Sequence, residues 1–270
     1  MSLYSSQSAR RSLIDTVTFR ALSQVATVVG YVVMVRAMSH EDFGVLNLLY
    51  AFYPLVGTVA SLGLEQTLRR YQPEFLSGGR PEAAYWLWRI VASARLGVNI
   101  GVLLLVLLTW NFTAPIFKLT PYRAEFVLFC IPMLLHFQVR ILRLSLASYM
   151  LQRHSLGALA WLAIVKLFAY VGITAFGKLT LDMAILTDTL GYAVAYGLLL
   201  WANRRHCRPG SSAPSYTPTE ADRKRLVRYA AYNNFSDAGS YIINVKSDNF
   251  FSHSKRSKAM PRIFSTRLAI

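Results

Sequence analysis

His136, Arg140 and Arg143 stand at i, i+4 and i+7 in the stretch MLLHFQVRILRLSLASYML, Met133 to Leu151, so a helix places them along one stripe. Their chemistry is anion recognition, because a guanidinium presents a planar fork that donates paired hydrogen bonds to phosphate or carboxylate. The residues around them are apolar enough to bury and numerous enough to cross a bilayer. A centrally placed Arg costs about 2.5 to 3.5 kcal/mol on membrane-insertion scales, while each strongly apolar residue returns about 0.3 to 0.6 kcal/mol. The two contributions nearly cancel here, so this segment gains little by facing lipid on every side and calls for a polar neighbour.

The same placement recurs elsewhere in the chain. Arg20, Gln24, Thr27 and Tyr31 follow one another at steps of four, three and four; Arg95 shares a face with Asn99, with Arg89 nearer the start of the same segment; Lys166 precedes Tyr170 by one turn. Against Arg20, Arg89, Arg95, Arg140, Arg143 and Lys166, the one acidic side chain counted at comparable depth is Asp188, a turn before Tyr192. Unpaired buried charge is too costly to keep in a dry interior. The expectation is therefore a hydrated cationic cavity that accepts an anionic substrate, with Arg20, Arg89, Arg95, His136, Arg140, Arg143 and Lys166 as its binding residues. Plainer readings stand beside it. Arg20, Arg89, Arg153 and Lys166 can snorkel toward headgroups, and Arg140 and Arg143 can pair with Asp188 or with backbone carbonyls. The small residues between Gly44 and Gly63 fit close helix packing better than a ligand loop.

Composition says what must position these groups. Hydrophobic residues make up 54% of the chain and charged residues 16%, and the mean hydropathy is +0.35, values that point to a membrane protein. The net charge of +16 would suggest nucleic acid in a soluble domain, but no nucleic-acid motif accompanies it and much of it lies between apolar runs, where it sets topology. No nucleic-acid partner is expected. The fold class expected is all-α, a polytopic transmembrane bundle of six spans plus the start of a seventh: 13–38, 43–64, 84–108, 126–150, 156–176 and 181–202. Breaks fall at Ser39 to Asp42, at SGGRPE (Ser77 to Glu82), at Pro115 and Pro121, and at Gly177 with Lys178.

One set of connections carries Arg10, Arg11, Arg69, Arg70, Arg80, Arg153 and the basic run from Arg204 to Arg228; the other carries only Lys118, Arg123 and Lys178. By the positive-inside rule the first set, with the N-terminus, is cytoplasmic. The segment after Arg10 and Arg11 runs to about Met38, too long for a signal peptide, and reads as a retained span. The domain plan is then a six-helix half over 1–202, a basic cytoplasmic linker over 203–225, the start of a second half over 226–251, and a tail over 252–270 that reads as disrupted or truncated. Cys130 and Cys207 suggest neither disulfide nor metal. No cofactor is expected, and no Ser-His-Asp arrangement, P-loop or metal cluster is evident.

At GLEQTLRRYQPEF, Gly63 to Phe75, the sequence resembles the end of the second helix in polysaccharide flippases, the O-antigen type, of the multidrug, oligosaccharidyl-lipid and polysaccharide exporter superfamily. LSQVATVVGYVVMVRAMSHEDFGVLNLLYAF is similar to their first hairpin, and RYAAYNNFSDAGSYIINVKSDNFF to their seventh helix. The resemblance implies two pseudo-symmetric halves around a cavity that alternates between the membrane faces of the bacterial inner (plasma) membrane. It also implies transport, without enzymatic chemistry, of oligosaccharide on polyprenyl pyrophosphate from the cytoplasmic to the outer leaflet. In that setting Arg140, Arg143 and Arg95 would hold the pyrophosphate and Arg20 would line the cytoplasmic entrance. Membrane lipid, the lipid-linked anionic glycan and glycan polymerase components are the partners implied. Two alternatives remain open: a membrane enzyme acting on polyprenyl-linked sugars, and a multidrug antiporter of the same superfamily, which would favour acidic cavity residues.

Overall fold

The computed structural model describes residues 6–209 and 216–234. Every element is helical, and no strand occurs among the described residues: α1 (Ser6–Ala37), α2 (His40–Val59), α3 (Leu64–Ser77), α4 (Pro81–Leu108), α5 (Trp110–Ile116), α6 (Arg123–Ser148), α7 (Gln152–Phe176) and α8 (Leu181–His206). A further helix covers 220–234. The expected seventh span beyond 234 and the tail over 252–270 lie outside the described residues. The segment read as a linker, 203–225, begins inside α8 and ends inside the 220–234 helix.

Five helices are long and apolar enough to cross a membrane: α4, α6, α7, α8 and the Thr16–Ala37 part of α1. The chain is a multi-pass membrane protein. The expected second span, 43–64, corresponds to α2 and the turn that follows it. α2 stops at Val59, Leu62 and Gly63 take positive φ of 45° and 65°, and α3 leaves from Gly63 as a separate amphipathic helix. Gly63 suits this corner because it lacks the Cβ that makes left-handed backbone costly.

Local chemistry fixes the helix ends. The Ser39 hydroxyl accepts from the Asp42 N–H at 3.1 Å, and Glu41 and Asp42 occupy the first turn of α2, where carboxylates complement the helix dipole. Thr180 caps α8 in the same way through the Met183 N–H, and Arg204, Arg205 and His206 close its last turn. Pro81 opens α4 at a position where its missing N–H costs nothing.

α1 packs along α7, while α8 lies against both α6 and α7, and α3 and α4 lean on α6. Two apolar cores result. One joins α1, α2, α6 and α8 through residues such as Met34, Leu49, Phe129, Met133 and Ile185. The other joins α3, α4, α6 and α8 at the arginine-rich ends through Leu68, Phe75, Leu87, Leu142 and Leu199. α1 keeps Val17, Val25, Val28 and Val32 exposed, as expected of a helix whose outer face meets lipid.

Candidate functional site

Helix α6 is the spine of the site. Its stripe of His136, Arg140 and Arg143 meets Tyr53 of α2 and Tyr192 of α8 at His136 and Glu65 of α3 at Arg140, and the cations expected on α1, α4 and α7 gather around it. Arg20 and Arg140 are electrostatic neighbours of Arg143. Arg140, Arg143, Lys166 and Arg95 all act on His136. Six of the seven expected residues are thus brought together. Arg89 is the exception, lining a separate cleft that none of the other six lines.

The reckoning of one carboxylate at depth needs correction, for Glu65 is a second. It sits in the first turn of α3 and is buried. Its Oε1 lies 3.5 Å from Arg95 Nη2 and its Oε2 lies 2.8 Å from Arg140 Nη2. Arg95 is wholly buried, and its Nη2 also donates to the Gly57 carbonyl at 3.1 Å. The guanidinium sits 5.1 Å from the centre of the Phe137 ring, a cation–π contact that offsets part of its lost hydration. Arg140 differs from Arg95 in one decisive way: 47% of its side chain is exposed. Glu65 stands in GLEQ, in the polar run after the second span, and it is the turn at Gly63, with its left-handed backbone, that brings it back against the bundle.

Asp188 does not pair with Arg140 or Arg143. It takes Lys166, whose Nζ lies 2.5 Å from Oδ1, and accepts hydrogen bonds from the Tyr170 hydroxyl at 3.0 Å and the Tyr50 hydroxyl at 2.6 Å. Lys166 therefore turns inward, where sequence left snorkelling open. Gly191 allows this, since a Cβ there would meet Lys166 Cγ at 2.7 Å. The network continues through Tyr192, whose hydroxyl is 3.1 Å from His136 Nδ1, and through Tyr53, whose ring lies tilted against His136 with centres 4.7 Å apart. A cavity of about 360 Å³ beside it is lined by Lys166, Tyr50, Tyr53 and Tyr192 together with Thr27 and Tyr31 of the α1 stripe.

After both carboxylates are engaged, Arg143 has no ion pair among the described residues, and its Nε is buried without a partner. Arg95 Nε and Nη1 are likewise unpartnered. Arg20 is exposed on α1. The arrangement is a cationic face of Arg20, Arg140 and Arg143 backed by two neutralised clusters. Guanidinium groups gathered on one face can bind an anion through paired, charge-assisted hydrogen bonds. Among the described residues no group of three or more His, Cys, Asp or Glu could hold a metal ion.

A helical bundle with apolar outer faces and such a polar seam defines a multi-pass membrane protein with an internal cationic surface. The chain belongs to the polysaccharide biosynthesis protein family, whose model matches residues 10–259. No curated protein and no solved structure matches it.

Proposed function

We propose that this chain binds polyprenyl-pyrophosphate-linked oligosaccharide and moves it from the cytoplasmic to the outer leaflet of a bacterial inner membrane, without making or breaking bonds. Arg143 and the exposed part of Arg140 hold the pyrophosphate, Arg20 lies at the cytoplasmic entrance, and Arg95 acts through Glu65 by fixing the orientation of Arg140. The tyrosines and Thr27 around the smaller cavity offer hydroxyls to sugar. α2 serves as a sixth span, its 20 residues reaching about 30 Å at roughly 1.5 Å per residue. Rigid-body rocking then exposes the cationic face to one side of the membrane and then the other.

The observation that carries this reading is the unpaired Arg143 with Arg20 and Arg140 as neighbours, in a chain of the polysaccharide biosynthesis family. Three cations facing one another repel unless an anion or water separates them. An antiporter for cationic substrates would need free carboxylates, and Glu65 and Asp188 are both engaged.

Binding of a polyprenyl-pyrophosphate oligosaccharide to the detergent-purified chain tests the proposal. A hydrogen bond to a charged group contributes about 1.5 to 3 kcal/mol, so Arg143→Ala should weaken binding about tenfold or more, with the melting temperature little changed because no ion pair is lost. Unaltered affinity in that variant would remove Arg143 from the site. Glycan export in a transporter-deficient strain should fall in parallel.

A further inference from the structure

A second cationic feature lies apart from this site. A cleft of about 850 Å³ opens between α4 and α8, with Gln138 and Leu142 of α6 at its base. Three arginines line it, Arg89 of α4, Arg204 of α8 and Arg208 just beyond, and all three are exposed and without an ion pair among the described residues. Glu82 is the one carboxylate in the lining and pairs with none of them. Trp88, also in the lining, is more than nine-tenths buried, and its indole N–H has no partner. Trp86 and Tyr216, in edge contact at 5.4 Å, form part of the rim. On the flank, Ile90 and Leu96 are exposed apolar residues. The cleft thus joins a polar, arginine-rich mouth to an apolar track on the outside of the bundle.

We propose that this cleft holds the phosphate headgroup of an anionic phospholipid from the leaflet bordering the arginine-rich ends of α4 and α8. Basic pockets between helices on the cytoplasmic side are suited to anionic headgroups, and aromatic rings sit favourably at that depth. Arg89, Arg204 and Arg208 surround the phosphate, the acyl chains lie along Ile90 and Leu96, and the Trp88 N–H is available to a headgroup oxygen. Arg89 is then a lipid ligand and does not contact the transported substrate. The occupant is a bilayer phospholipid, since exposed apolar Ile90 and Leu96 border the arginines of the cleft and it shares no residue with the Arg140–Arg143 stripe.

Native mass spectrometry of the purified chain with phosphatidylglycerol and with phosphatidylcholine of the same acyl composition tests it. The expected result is a retained phosphatidylglycerol adduct favoured about tenfold, lost in Arg204→Gln/Arg208→Gln and kept in Arg69→Gln/Arg153→Gln, which removes as much charge outside the cleft. Equal retention of the two lipids by the wild type, or an equal loss in both double variants, overturns the proposal. If the cleft variant does not purify, Arg89→Gln should lower the preference several-fold, and no change there overturns it too. Polyprenyl pyrophosphate supplies the other arm. Binding of that carrier that depends on Arg204 and Arg208 would give the cleft to the substrate and overturn the phospholipid assignment. Loss of carrier binding in Arg143→Ala with phosphatidylglycerol retained would support both sites separately, so failure of one is distinguishable from failure of the other.

Discussion

Neutralising Glu65 would leave the guanidinium of Arg95, wholly buried, without its counter-charge. Removing one partner of a buried ion pair costs about 3 to 5 kcal/mol, because the other charge stays desolvated. Glu65→Gln should therefore lower stability by that order in chemical or thermal denaturation, and adding Arg95→Met should recover most of it; a double variant as unstable as the single one would deny the pair its role. A second buried knot is neutral. The Ser145 hydroxyl accepts from Gln72 Nε2 at 2.9 Å and from Asn203 Nδ2 at 3.1 Å, tying α3, α6 and α8 together, and all three residues are buried. Ser145→Ala takes the acceptor from the Asn203 amide and leaves Gln72 Nε2 only the Ala84 carbonyl at 3.5 Å, so a loss of about 1 to 3 kcal/mol is expected in the same measurement. The cations of the site were legible because each interrupts an apolar run. Their partners were less so: Glu65 lies in a polar stretch where a carboxylate draws no notice, and the choice of Lys166 by Asp188 depends on α7 and α8 packing side by side.

The helix pair formed by α3 and the 220–234 helix shows how an element boundary is set by contact instead of pattern. Arg225 donates to Glu74 through two nitrogens at 3.0 and 3.2 Å, but both side chains are well exposed, so the pair itself contributes little. The packing is aromatic: Tyr71 meets Tyr229 edge to face at 5.2 Å, Arg70 lies over Tyr229 and Arg225 over Tyr71. Gly63 permits it, since a Cβ there would come 2.0 Å from the Ala230 carbonyl oxygen. Gly63→Ala is therefore strained twice, by about 1 to 2 kcal/mol of left-handed backbone and by the clash. Amide exchange over 220–234 should rise at least tenfold while α6 and α8 keep their protection; unchanged exchange would show that the contact does not hold the helix. Just before it, the Tyr216 hydroxyl donates to Asp222 at 2.8 Å and holds that carboxyl below its ordinary value, aided by Thr219. A depressed carboxylate contributes above its unfolded pKa and loses that contribution only as pH falls through the lower folded one. Protection of this segment should accordingly be equal at pH 7 and pH 5. The long helices were readable from hydropathy to within a few residues, and so was the end of the second span near Leu62 and Gly63, because the polar run LEQTLRRYQPEF follows it.

Across the whole molecule, charge is distributed for both orientation and transport. Arg204 and Arg205 at the end of α8, Arg80 just before α4 and Arg153 in the first turn of α7 lie at one side of the bundle, where the rings of His154 and His206 lie 4.9 Å apart and Tyr149 reaches the Cys207 carbonyl; Lys118 and Lys178 occupy the connections at the opposite ends. The positive-inside rule assigns the arginine-rich side to the cytoplasm, and the proposed direction of transport and the leaflet of the phospholipid cleft both depend on that assignment. Cysteine labelling checks it. Burial pushes the Cys207 thiol up, and Cys130 is half-buried on α6; replacing both by Ala clears the background. In intact cells a membrane-impermeant maleimide should then modify Lys118→Cys and Lys178→Cys, and reach Arg153→Cys only after permeabilisation. α6 and α7 alone put Lys118 and Lys178 on one side and Arg153 on the other, so Arg153→Cys labelled from outside would reverse the topology. α2 is counted by Ser39→Cys and Arg80→Cys in the connections on either side of it: Ser39→Cys should react in intact cells and Arg80→Cys only after permeabilisation, and equal labelling of the two would mean that α2 fails to cross.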